Sequence, residues 1–195
     1  MKMNRISRKT IKKEISTELE KVLKKFIDDT KNNNVLEANK TARRILNVWY
    51  EMAERTSGPP SLKWFKTSFT GFLIKGPIEA YSLCPHHMLP IRMKILVGIV
   101  PKGYTLGISK ITRLVLWASK GFFIQEEITK IVADKLWEKD KLEGLIIGVI
   151  GEHSCEKIRG VKSKNDTVTI EIRGRVDRKS IFIFNRRLQN AANCC

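Results

Sequence analysis

Cys84-Pro85-His86-His87-Met88-Leu89-Pro90 runs straight into Ile91-Arg92-Met93-Lys94-Ile95-Leu96-Val97-Gly98-Ile99-Val100, and from this join the rest of the chain can be read. Two of the chain's three histidines and one of its four cysteines fall in the first seven residues. Cys84 and His87 can reach one ion from a single turn, and a thiolate with a neutral imidazole is a pair that zinc favours. Two ligands are half a site. The third histidine, His153, stands two residues before Cys155, and the other cysteines are the terminal pair Cys194 and Cys195. A lone C-x-x-H recurs by chance, and buried cysteines usually pack as small hydrophobes. The second cluster tips the balance towards a metal. Three protein ligands plus a water mark a catalytic zinc, whereas a structural zinc takes four. With Cys84, His87 and Cys155 as ligands, His86 and His153 remain beside the ion as imidazoles suited to proton transfer.

Working outward, Ile91 to Val100 reads as a strand, as do Thr67 to Ile74 and Ile78 to Leu83 on either side of Gly76-Pro77. The last of these delivers Cys84. Pro101-Lys102-Gly103 is a turn into a strand at Tyr104 to Ile108, which predicts a hairpin. Helices follow over Lys110 to Lys120, with Ile111, Leu114, Val115 and Ala118 on one stripe, and over Gln125 to Glu138. Leu145 to Ile150 is a continuous apolar run suited to a buried strand, Thr167 to Ile172 alternates, and Ser180 to Gln189 reads as a closing helix. From residue 91 the order is strand, strand, helix, helix, strand, strand. Upstream, an amphipathic helix starts at a Thr10 cap, Asn32-Asn33-Asn34 is a loop, and a second helix runs from Lys40 to Arg55. Ser57-Gly58-Pro59-Pro60 ends it. The expected organisation is a helical region over 1–60 and an α+β catalytic domain over 61–195.

The 195 residues carry a formal charge of +17. Such a balance attracts either nucleic acid or a small anionic substrate. The lysines are spread along the chain without a dense block or interleaved aromatics, which favours the second. No apolar run reaches membrane-spanning length, and Met1 to Lys13 lacks the apolar centre of a signal peptide. With thiolate ligands in prospect, a reducing cytoplasm is expected.

Ser109-Lys110, with Arg113 one turn on, stands where a strand hands over to a helix whose N-terminus suits a phosphate. Arg159 lies four residues past Cys155. In isolation these cations read more readily as an ordinary solvated surface. Gln125-Glu126 opens the second helix, where acidic residues are common for dipole reasons, yet an amide and a carboxylate can also match a purine edge.

Taken together, Cys84 to Pro90, Gly107-Ile-Ser-Lys-Ile-Thr-Arg113, Ile124-Gln-Glu126 with Ile128-Thr129, His153-Ser-Cys155 with Ile158-Arg-Gly-Val161, and Thr167-Val-Thr169 resemble GTP cyclohydrolase I. The resemblance spans roughly Ile78 to Gly174 and implies the tunnelling fold, an antiparallel ββααββ sheet with two helices on one face. It also implies pentamers paired as homodecamers, sites at subunit junctions, and hydrolysis of GTP to 7,8-dihydroneopterin triphosphate and formate. On the same footing Cys84, His87 and Cys155 resemble the zinc ligands, and His86 and His153 the proton-transfer pair. Ser109 resembles the residue near the ribose, Gln125 and Glu126 the base-recognition pair, and Lys110, Arg113 and Arg159 the triphosphate clamp. The product could serve tetrahydrofolate, tetrahydrobiopterin or 7-deazaguanine synthesis. Two departures stand out. Pro85 occupies a position where the family usually has Glu, and the segment from Pro60 to Cys84 is short, with Lys63 as the candidate for a phosphate-binding lysine. Two alternatives stay open: a tunnelling-fold enzyme on a related purine or pterin, and a basic nucleic-acid-binding protein with structural zinc. The latter needs a fourth ligand from Cys194 or Cys195.

Overall fold

Alternation of apolar residues along the strands and their recurrence along the helices generate the order α1 (Arg8–Thr30), α2 (Ala38–Ala53), β1 (Trp64–Lys66), β2 (Leu73–Leu83), β3 (Pro90–Pro101), β4 (Tyr104–Leu106), α3 (Ile108–Ser119), α4 (Gln125–Leu136), β5 (Leu142–His153), α5 (Ser154–Lys157), β6 (Thr167–Gly174) and α6 (Arg178–Asn193). The structure is a computed structural model describing residues 8–30, 37–55 and 57–193. It divides into two compact units, Met1–Glu51 and Met52–Cys195. In the first, the Lys12 ammonium sits 3.9 Å above the Tyr50 ring.

The second unit is built on a four-stranded antiparallel sheet in the order β2-β3-β5-β6. Successive side chains of a strand point to opposite faces. Ile91, Met93, Ile95, Val97 and Ile99 of β3 join Leu145, Ile147 and Val149 of β5 in one core, completed by Ile111, Leu114 and Val115 of α3 and Ile128 and Val132 of α4. The intervening Leu96, Ile146 and Ile150 form a second core with Phe184, Leu188 and Ala191 of α6. The middle strands are thus covered on both faces, which is why their sequences read as unbroken apolar runs. Gly148 lets the Phe184 ring lie on the sheet; a Cβ there would come within 2.8 Å of it.

The fold is the ββααββ antiparallel arrangement expected, with α3 and α4 on one face, but its first strand pair was misplaced. Tyr104–Leu106 does not form a hairpin with β3. It pairs instead with β1, Trp64 opposite Leu106, in a separate two-stranded sheet. The two opening strands of the motif are β2 and β3, so the motif starts at Leu73 rather than Ile91. β2 runs unbroken through Gly76-Pro77, which occupies a bulge between Lys75 and Ile78. A proline is tolerated there because β2 is an edge strand of this sheet. α6 also starts before Ser180. Asp177 accepts hydrogen bonds from the Ser180 backbone N–H at 3.0 Å and hydroxyl at 2.5 Å, capping the helix, and these hold its carboxyl below the ordinary carboxylate range. α1 is helical from Arg8, so Thr10 lies inside it. Asn32–Asn34, Cys194 and Cys195 lie outside the described residues. Among the described residues, no helix is long and apolar enough to cross a membrane.

Candidate metal and proton-transfer site

Two strand ends make the site. β2 stops at Leu83, and the chain then turns tightly: the Cys84 N–H donates to the Leu89 carbonyl at 2.9 Å and the Met88 N–H to the Cys84 carbonyl at 2.8 Å. Met88 adopts a φ of 53° to complete the turn. The antiparallel register sets His153, last residue of β5, opposite Ile91, first buried residue of β3. The short helix α5 then begins, and Cys155 is its second residue. Sequence positions 71 residues apart thereby meet: Cys155 Sγ is 3.8 Å from Cys84 Sγ. His87 Nδ1 is 3.6 Å from the same sulfur, and His86 Nδ1 is 3.9 Å from it.

One ligand atom each from Cys84, His87 and Cys155 lies within 4.8 Å of the others. A tetrahedral zinc with bonds of about 2.3 Å to sulfur and about 2.0–2.1 Å to nitrogen has edges of about 3.8 Å between two sulfurs and about 3.6 Å between sulfur and nitrogen. Both observed separations match, so the donor set fits the ion. Burial first, and then the neighbouring Cys84 sulfur, push the Cys155 thiol above its ordinary pKa. Two sulfurs this close ionise together only when a cation compensates them.

The donors line a cavity of about 250 Å³ shared with Pro85, His86, Glu126, His153, Glu156 and Thr167. A larger surface cavity of about 610 Å³, beside Trp137 and Arg175, contains neither cysteine nor histidine. At the inner wall Gln125 is only 1% exposed. Its Nε2 lies 3.2 Å from the Val149 carbonyl, 3.0 Å from the Thr167 carbonyl and 3.2 Å from Thr169 Oγ1. Its Oε1 lies 3.1 Å from His153 Nε2. Glu126, the next residue, is exposed in the first turn of α4.

The remaining expected site residues are not gathered here. α3 ends beside the cavity, since the Leu83 N–H and Ser82 hydroxyl both donate to the Gly121 carbonyl. At 1.5 Å per residue, Ser109 and Lys110 at its start lie roughly 15 Å away along the helix axis. Arg113 is exposed on the same helix. That helix start has no acidic residue in its first turn and no side-chain cap. β1 brings Lys63 to it, because the Gly107 N–H donates to the Lys63 carbonyl at 3.1 Å. Arg159 follows α5 and is exposed. Lys157 reaches Asp166 at 2.8 Å and Glu152 at 3.5 Å, pinning the ends of the loop that carries Arg159. The hydrogen bond to Asp166 is the main reason the Lys157 ammonium titrates above its usual value.

One lining residue and one glycine packed behind Gln125 escape a sequence reading. Glu156 contributes a carboxylate to the cavity beside Pro85, and its only signal in the chain is adjacency to Cys155. Gly151 leaves room for Gln125: a Cβ there would run into the amide oxygen.

Residues 15–184 match the sequence profile of a family described as GTP cyclohydrolase I. A GTP cyclohydrolase 1 of Pyrobaculum aerophilum is 39% identical over 136 residues, covering 66% of this chain and 73% of that protein. One from Hyperthermus butylicus is 33% identical over 138 residues, 71% of each. Among solved structures, the apo form of the archaeosine synthase QueF-Like aligns over 62% of this chain and 100% of its own, with 16% identity and a TM-score of 0.41.

Proposed function

Since the chain belongs to the GTP cyclohydrolase I family, we propose that it hydrolyses GTP to 7,8-dihydroneopterin triphosphate and formate, using residues 61–195 as the catalytic domain behind a helical region over 1–60. The observation that carries this reading is the Cys84–His87–Cys155 triangle with His86 and His153 beside it. Cys84, His87 and Cys155 would hold a zinc ion, which supplies, when bound, a water acidified to a pKa of about 7 as nucleophile. His153 takes up a proton at its cavity-facing nitrogen and delivers it to the departing purine nitrogen when the five-membered ring opens. His86, on the same cavity wall, moves the second proton as the formyl group leaves. Glu126 accepts from the N–H edge of the guanine.

Lys110, Arg113 and Arg159 suit the triphosphate, and the start of α3, which has no side-chain cap, adds the positive end of its dipole. Ser109, at the same helix start, suits the ribose. One chain holds α3's start too far from its own triangle for both to grip one nucleotide, so a second copy supplies Ser109, Lys110 and Arg113, within a homodecamer in the cytoplasm. Two observations favour assembly. β2 and β6 are both open sheet edges, and Val168, Ile170 and Ile172 of β6 are 44–50% exposed.

The test is incubation with GTP, with and without a zinc chelator, following formate and the fluorescence of the oxidised pterin. Chelator-sensitive release of both products is expected. Pro85 motivates a second reading, either a reaction that stops after ring opening and deformylation, before ribose rearrangement, which formate without pterin would select, or one that takes a related purine. Neither product from metal-loaded, assembled protein refutes the GTP assignment.

A further inference from the structure

The Gln125 side chain sits in a polar network whose fixed acceptors decide which way its amide points. Backbone carbonyls accept and never donate, so the proximity of the Val149 and Thr167 carbonyls makes the atom facing them the amide nitrogen. The Thr129 hydroxyl donates to the Gln125 backbone carbonyl at 2.9 Å, which uses its single hydrogen. The 2.6 Å contact between Thr129 and Thr169 must then have Thr169 as donor. Thr169 Oγ1 is left to accept from the Gln125 amide. With the nitrogen committed, the amide oxygen faces His153 and can only accept, so His153 carries its hydrogen on Nε2. Gly151 keeps the path between them clear.

We propose that Gln125 is a positioning residue that fixes the ring and tautomer of His153, leaving Nδ1 as the nitrogen free to exchange a proton in the cavity. This rests on the reading of His153 as a proton-transfer group. It departs from the expectation that Gln125 reads the base: both ends of the amide are already engaged, and base recognition falls to Glu126. The cost of losing the network is borne by the chemical step rather than by substrate affinity.

The experiment is a double-mutant cycle on the zinc-loaded protein with Gln125→Met and His153→Ala, with thermal melting as a check on folding. Gln125→Met is expected to lower kcat by about 10- to 100-fold, part of what a positioned acid–base group contributes, with KM for GTP changed less than about twofold. In the His153→Ala background the same change should have no further effect on kcat. Gly151→Ala, which displaces the amide oxygen without altering Gln125, should repeat the kcat loss. A raised KM at constant kcat would return Gln125 to base recognition and overturn the proposal. Full additivity with His153→Ala would also overturn it. Independently of any substrate, 15N spectra of histidine-labelled protein, which contains three histidines, should show, besides the metal-held His87, a second ring with its hydrogen fixed on Nε2. That signature should be lost in Gln125→Met. If it appears in a wild-type protein that releases no formate, the GTP reading fails and the positioning role stands. If Gln125→Met leaves it unchanged, the positioning role fails.

Discussion

Two inactive variants should repair one another when they share a particle. His153→Ala removes a proton-transfer group and is expected to cost about 10²- to 10⁴-fold in rate. The paired change Lys110→Ala and Arg113→Ala removes two cations from the far end of α3; each charge-assisted contact is worth about 1.5–3 kcal/mol, so the pair costs at least about 100-fold. Within one chain these groups are separated by much of a 12-residue helix. If each site draws its cysteine–histidine group from one copy and its cations from another, equal random mixing leaves a site intact when both draws succeed, about one time in four. Co-expression of the two variants under different tags, followed by purification through both tags, should give particles with roughly a quarter of the wild-type formate release. That far exceeds the sum of the two parents. Mixed particles of correct size with no more activity than that sum would refute the reasoning. Retention of full activity by the cation variant alone would show that α3 plays no part in the site.

Purified protein should contain about one zinc per chain by elemental analysis, and Cys84→Ser should abolish it, because a site of three protein donors tolerates the loss of none. Phe184→Ala should destabilise the second unit by about 3–5 kcal/mol in denaturant titration, because the ring is fully buried between α6 and Gly148 and its removal leaves a void. Asp177→Ala should lower the melting temperature at neutral pH, while Asp177→Asn, which still caps, should lower it less. The Asp177 carboxyl is depressed in the folded state, so its contribution is present above the unfolded value of about 3.9 and is lost as pH falls through the folded value. The gap between wild type and Asp177→Ala should therefore close in acid.

The central strands were legible because they are buried on both faces and spell continuous apolar runs. The helices α3 and α4 were legible from their stripes. The pairing of β4 was not: Pro101-Lys102-Gly103 is a local turn signal, whereas its partner Trp64–Lys66 is three residues long and carries no alternation. The Cys84 and Cys155 clusters could be linked from residue economy alone, but the 3.8 Å between their sulfurs depends on the β3–β5 register. The surroundings of Gln125 were invisible in the chain, since its nitrogen is read by backbone carbonyls, which every residue possesses. Glu156 was missed for a different reason. A carboxylate beside a ligand looks like any other surface acid until the cavity is closed around it.

Helix α3 has one end against the strand that delivers Cys84 and, on the proposed assembly, the other in the neighbouring copy's site. It is then a strut shared by two active sites, and around a closed ring each site is joined to the next by one rigid rod. A lesion in the middle of this helix would be pleiotropic. By tilting the rod it would weaken nucleotide capture at one junction and slow the chemistry at the adjacent one, so a single substitution would yield two kinetic defects in the same particle.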